Sequence, residues 1–168
     1  MTRMMLVLWF AGVVATGCSS SDSVWNALVN KLVVAESGGF LPPSQPTADC
    51  PDAGVEYTLV VADRTLSAWR CTPGSEPPYP LMKASVSRPL TTAEFDALVP
   101  KLEALKVVNV DTCGADKSAV LVTLTTPSGT TEYADSFYSC NDNDPRPTLD
   151  TEALDQVAQA LGQLAFVN

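Results

Sequence analysis

The chain has 168 residues, and its 19 Asp and Glu outnumber its 10 Lys and Arg to give a net charge of −9 at pH 7. This acidity argues against nucleic-acid binding, which depends on Lys and Arg that neutralise phosphates, and against electrostatic attachment to an anionic membrane. The complete absence of His excludes Ser-His-Asp and Cys-His catalysis and His-ligated zinc. No phosphate-binding Gly-rich motif occurs, so no cofactor or metal is expected.

Residues 1–17 are predicted to be an export signal. Arg3 precedes an apolar run over residues 4–14, which is shorter than the ~20 residues that span a bilayer. The small residues Ala15-Thr16-Gly17 then lead to Cys18. This segment resembles the lipobox of bacterial lipoproteins. The same residues would also suit ordinary signal cleavage, which would leave a soluble periplasmic or secreted protein.

The lipoprotein resemblance implies that the thiol of Cys18 carries a diacylglyceryl anchor and that the signal is removed before it. Palmitate would be among the attached chains, and Ser19 in place of Asp implies sorting to the outer membrane of the bacterial cell envelope. The chain has five Cys, and an odd number in an exported protein needs an explanation. Lipidation of Cys18 leaves four, enough for two disulfides in an oxidising compartment.

Residues 18–23 are predicted to be the lipidated Cys and a tether, and residues 24–54 an N-terminal helix followed by a Pro-rich loop. Apolar residues recur at helical spacing from Val24 to Val33, and the Gly38-Gly39 pair ends this element. The segment that follows is rich in Pro and Asp, as loops are.

Residues 55–168 are predicted to be a single α+β domain of two similar halves, over about 50–106 and 113–166. In each half a Cys precedes a β-hairpin with alternating apolar residues, a second Cys closes the hairpin, and a capped helix follows. The expected fold is a small antiparallel sheet from two disulfide-closed β-hairpins with capped helices packed on one face, and internal duplication is a hypothesis. The four Cys of the domain can form two disulfides in three ways. The pairing that treats both halves alike, Cys50–Cys71 and Cys113–Cys140, is favoured.

Capping residues indicate where the two helices begin. Thr91 and Glu94 have the spacing of a capping box before a helix over 92–106, in which Pro100 predicts a kink or a break. Asp150 is the predicted N-cap of a helix over 151–165.

Acidic residues crowd the segment around Cys140, and they provide the candidate site. Asp142 and Asp144, with Tyr138, form a candidate interaction surface. Asp142-Asn143-Asp144 is also similar to the start of a calcium loop, but Pro145 and Arg146 follow where a ligand and an obligatory Gly should be.

The sequence therefore predicts a membrane-anchored envelope lipoprotein that acts as a non-enzymatic binding or structural module. Its partners would be the membrane, through the lipid anchor, and a basic envelope protein. Inhibition of a basic enzyme is a sharper form of this hypothesis. Two alternatives stay open: a His-free hydrolase that uses Asp135, Asp142 or Asp144, and a calcium-dependent binding module.

Overall fold

A computed structural model of the chain describes residues 22–38, 44–109, 114, 117–137 and 145–166. These residues form seven strands and two helices. The elements are β1 (Lys31–Gly38), β2 (Gly54–Val60), β3 (Thr65–Pro73), β4 (Leu81–Pro89), α1 (Thr92–Glu103), β5 (Ser118–Thr126), β6 (Gly129–Asp135), β7 (Thr148–Leu149) and α2 (Thr151–Phe166).

The seven strands form one mixed sheet in the order β4-β3-β2-β1-β5-β6-β7. All neighbours are antiparallel except β6 and β7. The first strand, β1, lies at the centre, where Leu32 is opposite Leu59 of β2 on one side and Leu124 of β5 on the other. It therefore joins the two halves of the sheet.

Both helices contribute to one hydrophobic core on one face of the sheet. The core includes Leu32 and Leu59 from the strands, Leu102 from α1 and Leu161 from α2, and each is fully buried. Helix α2 has buried residues along its whole length, because its apolar residues recur at the three- and four-residue spacing of one helix face. The core fixes α2 across the strands.

The opposite face of the sheet carries the Cys50–Cys71 disulfide. Both sulfurs are buried in a small cluster with Leu81, and Trp69 packs against it. The bond fastens the loop before β2 to β3. The predicted Cys50–Cys71 pairing is confirmed, whereas Cys113 and Cys140 lie outside the described residues.

The helix predicted from Val24 to Val33 is wrong, because that segment leads into the central strand β1. Val24 and Trp25 pack on the core outside any helix or strand, and the Val24 N–H donates to the carbonyl of Leu105 at 2.9 Å. A short apolar run can fit a helix or a buried strand. Here the run forms a strand because β1 pairs with β2 on one side and with β5 on the other.

The predicted fold of two disulfide-closed hairpins is also wrong. Strand β1 separates the β2–β3 hairpin from the β5–β6 hairpin, and all the strands belong to one seven-stranded mixed sheet. Internal duplication finds no support either. The first hairpin is followed by the nine-residue antiparallel strand β4, and the second by the two-residue parallel strand β7. Local hairpin signals carry no information about a strand inserted between them.

The two predicted helices are confirmed. Thr91 caps α1, and its hydroxyl accepts the backbone N–H of Glu94 while the Glu94 carboxylate accepts the backbone N–H of Thr91. Helix α1 continues through Pro100 without the predicted break, and it ends at Glu103, three residues before the predicted end at 106. In α2, the Asp150 carboxylate accepts the N–H of Ala153 at 2.9 Å, as an N-cap does.

Candidate functional site

At one end of the sheet, the face covered by the helices carries charged residues. Successive side chains on a strand point to opposite faces, so Glu36 follows the buried Val34 on the covered face of β1. In the same way, Arg70 follows the buried Ala68 on β3. Both strands thus carry a charge just past the edge of the hydrophobic core.

A cleft of about 450 Å³ opens at this end, between the sheet and the C-terminal part of α2. Its floor follows the register of three neighbouring strands, in which Glu36 is opposite Val55 and Val55 is opposite Arg70. Tyr57 and Phe166 add two aromatic rings to its wall. The cleft therefore combines an acid, a base and apolar surface.

Glu36 is a half-buried carboxylate that has no hydrogen bond or ion pair with any residue the structure describes. Burial raises its pKa above the usual range, and the negative charge of Asp155 raises it further, while Lys117 lowers it. Burying a charge without a hydrogen-bonded partner costs free energy. Residues that are unfavourable for stability in this way are a feature of functional sites.

Arg70 supplies the opposite charge. Its guanidinium carbon lies 4.4 Å from the centre of the Phe166 ring, a cation–π distance. Within the described part of the chain it makes no ion pair. This contact does not use the guanidinium N–H groups as hydrogen-bond donors to oxygen, so they remain available to bind an oxygen anion.

Tyr57 lies on β2, the strand between those that carry Glu36 and Arg70. Its ring meets that of Phe166 edge to face, with centroids 6.5 Å apart. Burial and the charge of Glu36 raise the pKa of Tyr57 to about 12, although Arg70 lowers it. At neutral pH the phenol is therefore a hydroxyl donor.

An ion-pair cluster lies beside the Glu36 end of the cleft. The Lys117 ammonium binds the carboxylates of Asp135 at 3.0 Å and Asp155 at 2.7 Å. Burial alone would lower the pKa of Lys117, but hydrogen bonds to Asp155 and Asp135 raise it overall. Because this ammonium is bound to two other carboxylates, its charge only partly offsets the effect of burial on Glu36, whose pKa stays raised.

Asp135, a candidate catalytic carboxylate from the sequence, has a structural position. Its side chain is 1% exposed. Besides Lys117, it accepts the hydroxyl of Thr151 at 2.5 Å and the backbone N–H of Phe137 at 2.9 Å. These bonds connect β6 to the start of α2 and leave the carboxylate inaccessible to a substrate.

The other sequence-predicted site residues lie outside the described residues. They are Cys18, Cys113, Tyr138, Cys140, Asp142 and Asp144. The candidate interaction surface around Cys140 therefore stays a prediction. Of the predicted cysteines, Cys71 lines the cleft and is joined to Cys50 by the disulfide.

Trp69 is the most prominent aromatic residue on the opposite face. Its indole N–H donates to Glu56 at 3.3 Å, and the ammonium of Lys83 lies 5.7 Å from its ring centre. Trp69 thus already contacts both an acid and a base on its own face of the sheet.

Comparison with known proteins leaves the cleft as the main guide to function. No family model, curated protein or solved structure matches this chain. Among the described residues, no helix has the length and apolar character needed to cross a membrane. In the same part of the chain, no three acidic or Cys side chains come together as metal ligands would.

Sequence reasoning did not identify the residues of the cleft. Glu36 lies in the segment predicted as helix and loop, and Phe166 lies one residue beyond the helix predicted over 151–165. One signal was available on β3, where Arg70 extends the inward-facing series of Leu66 and Ala68. A charge that continues a buried alternating series at the end of a strand indicates a site at the rim of the core.

Proposed function

We propose that this chain is an exported, lipid-anchored protein of the bacterial envelope that binds a small polar solute without changing it chemically. The observation that carries this proposal is the cleft, in which Glu36 and Arg70 both lack intramolecular ion-pair partners among the described residues. Ligand sites combine apolar walls with a few convergent polar groups. Here Val55, Tyr57 and Phe166 are the apolar part.

Binding without catalysis is favoured by the state of the carboxylates. Hydrolysis by a carboxylate pair needs two acids that face one substrate. Glu36 is one such acid. Asp155 is near enough for its charge to raise the pKa of Glu36, but the Asp155 carboxylate is held in an ion pair with Lys117. A single free acid across the cleft from a guanidinium is suited to binding a charged ligand.

The membrane part of the proposal rests on the lipobox-like sequence that ends at Cys18. Among the described residues, Ser23 already forms a β-bridge with Lys106, and the Val24 N–H donates to the carbonyl of Leu105. Val24 is six positions after Cys18 in the sequence, a span of at most about 20 Å. A lipid on Cys18 would hold the domain close to the bilayer surface.

Equilibrium dialysis tests the binding function. The purified protein is dialysed against the small-molecule fraction of an envelope extract, and solutes enriched on the protein side are identified by mass spectrometry. Thr72 is exposed at the rim of the cleft, so Thr72→Trp should block entry. Thr131→Trp places the same side chain at an exposed position on β6 and is the matched control.

We expect the wild type and the Thr131→Trp variant to enrich the same solute and the Thr72→Trp variant to lose it. Enrichment that survives in the Thr72→Trp variant would place binding elsewhere. If no solute is enriched by any of the three proteins, the binding function is wrong.

Metabolic labelling tests the anchor separately. Cells that express the wild-type chain should incorporate labelled palmitate into it, and the protein should sediment with the outer membrane. Cys18→Ser should abolish both results, while Ser20→Ala, which keeps the thiol, should abolish neither. A wild-type chain without label would contradict the lipoprotein proposal and leave the cleft unaffected.

A further inference from the structure

We infer that the ligand of the cleft is a zwitterion, a molecule with an ammonium group at one end and a carboxylate at the other, separated by an apolar chain. This inference rests on the proposed binding function and adds the chemical class of the ligand. It comes from the positions of Glu36 and Arg70 at opposite sides of one floor.

The two charges are separated by one strand. Glu36 pairs with Val55 in register, and Val55 pairs with Arg70. Neighbouring strands lie ~4.8 Å apart, so the backbones at Glu36 and Arg70 are about 10 Å apart. At this distance a ligand can contact both charges, and one with several bonds between its own charges fits better than a compact one.

The Glu36 end favours a cation. Three carboxylates, those of Glu36, Asp135 and Asp155, interact with the single ammonium of Lys117, so this end carries an excess of negative charge. A ligand ammonium would provide the hydrogen-bond donors that Glu36 lacks. Its charge would also offset the repulsion between Glu36 and Asp155.

The Arg70 end favours an anion. The guanidinium is held against Phe166, which reduces its freedom before a ligand arrives. A carboxylate can accept two parallel N–H bonds from such a guanidinium. The Tyr57 hydroxyl, protonated because its pKa is about 12, is a further donor on the same wall.

The surface between the two charges is apolar. Val55 forms the floor, and the rings of Tyr57 and Phe166 form the side. This surface suits methylene groups or a peptide unit with small side chains. Unbranched ω-amino acids and short peptides with free ends both have this combination of groups.

Isothermal titration calorimetry on the purified full chain tests the inference with three probes of equal chain length. They are 6-aminohexanoate, hexanoate and hexylamine, which carry both charges, only the acid or only the amine. A charged hydrogen-bonded contact is commonly strong enough to change affinity about tenfold. We therefore expect the wild type to bind 6-aminohexanoate at least about tenfold more tightly than either of the other probes.

Two variants assign each end. In Glu36→Gln the amine of the probe should no longer contribute to affinity, so 6-aminohexanoate and hexanoate should bind equally tightly. In Arg70→Gln the acid should stop contributing, so 6-aminohexanoate and hexylamine should bind equally. Glu56→Gln and Lys83→Gln change the same charges on the opposite face of the sheet, and we expect both to bind the probes as the wild type does.

The outcomes separate the ligand class from the binding function. A wild type that binds hexanoate or hexylamine as well as 6-aminohexanoate overturns the zwitterion. The zwitterion is also overturned if dialysis captures a solute that neither the probes nor the peptide Gly-Gly-Gly can displace. In that case the binding function stands. The pattern of losses in Glu36→Gln and Arg70→Gln supports the inference only if both controls keep wild-type affinities.

Discussion

The hydroxyl of Tyr57 lies directly against Gly162 of α2. A Cβ atom built at Gly162 would be 2.9 Å from this oxygen, closer than an ordinary van der Waals contact. Gly is a poor residue for the interior of a helix, but here the missing side chain leaves space for Tyr57 to reach α2. The contact brings the helix close to the sheet at the edge of the cleft.

We expect Gly162→Ala to have different effects on stability in two backgrounds. In the wild type, the gain in helix propensity of about 1 kcal/mol should be offset by the displacement of the Tyr57 hydroxyl. In a Tyr57→Phe background the hydroxyl is absent, and the same substitution should be stabilising. Urea unfolding of the four proteins measures this coupling. Equal effects of Gly162→Ala in both backgrounds would contradict the proposed contact.

Glu36→Gln should stabilise the domain at neutral pH. Because burial raises the folded-state pKa of Glu36 above 4.5, the folded state binds protons more tightly than the unfolded state. The stability that this group contributes is full below pH 4.5 and is lost as the pH rises through the folded pKa. Gln does not ionise, so the gain should be largest at pH 7 and should disappear in acid.

Thermal unfolding from pH 4 to pH 8 measures this difference, and Glu103→Gln at the exposed end of α1 is the control. A Glu36→Gln variant that is less stable than the wild type at pH 7 would show that the carboxylate has a stabilising partner in the fold. A more stable variant that no longer binds the zwitterion would show that the site is maintained at the expense of stability.

Glu94 should have the opposite pH dependence. Hydrogen bonds from Arg88 and then from Thr91 lower its pKa from 4.5 to about 2, and the Arg88–Glu94 distance is 2.7 Å. Its contribution is therefore present above pH 4.5 and is lost as the pH falls towards 2. In Glu94→Gln, the melting temperature should change less steeply between pH 5 and pH 2. Asp96→Asn, on the same helix, should keep the wild-type slope.

Removal of the disulfide should destabilise the fold and loosen the end of β3 that carries Arg70. A bond between residues that are 21 apart in sequence is expected to contribute about 3 kcal/mol by restricting the unfolded chain. The Cys50→Ala, Cys71→Ala double variant should lose about this much in denaturant unfolding. Since Cys71 directly follows Arg70, we also expect weaker binding of the ligand carboxylate. A fully stable double variant would show that the strand pairing alone holds this loop.

The sequence predicts the local elements of this fold better than their arrangement. The capping box at Thr91 and the N-cap at Asp150 are short-range signals, and both helices begin where these signals predict. The alternating residues of the two hairpins are equally local. The position of β1 is different, because Leu32 becomes a strand residue through pairing with Leu59 and Leu124, which are distant in the chain.

The cleft could not be predicted for the same reason. Glu36, Tyr57, Arg70 and Phe166 belong to four elements, and only the register of three strands and the position of α2 bring them together. Composition does not distinguish Glu36 or Arg70 from the other charged residues of an acidic chain. What distinguishes them is a tertiary property, their position on one cleft that Tyr57 and Phe166 also line.

The central position of β1 has a consequence for the order in which the molecule can be completed. Lys31 pairs with Val60 and also with Thr125, so one edge of β1 finds its partner early in synthesis and the other only after most of the chain has been made. Until then a growing chain exposes the backbone N–H and C=O groups along one edge of an apolar strand, and such an edge readily pairs with other chains. The strand that unites the finished sheet is thus the one most exposed to misassembly while the protein is being made.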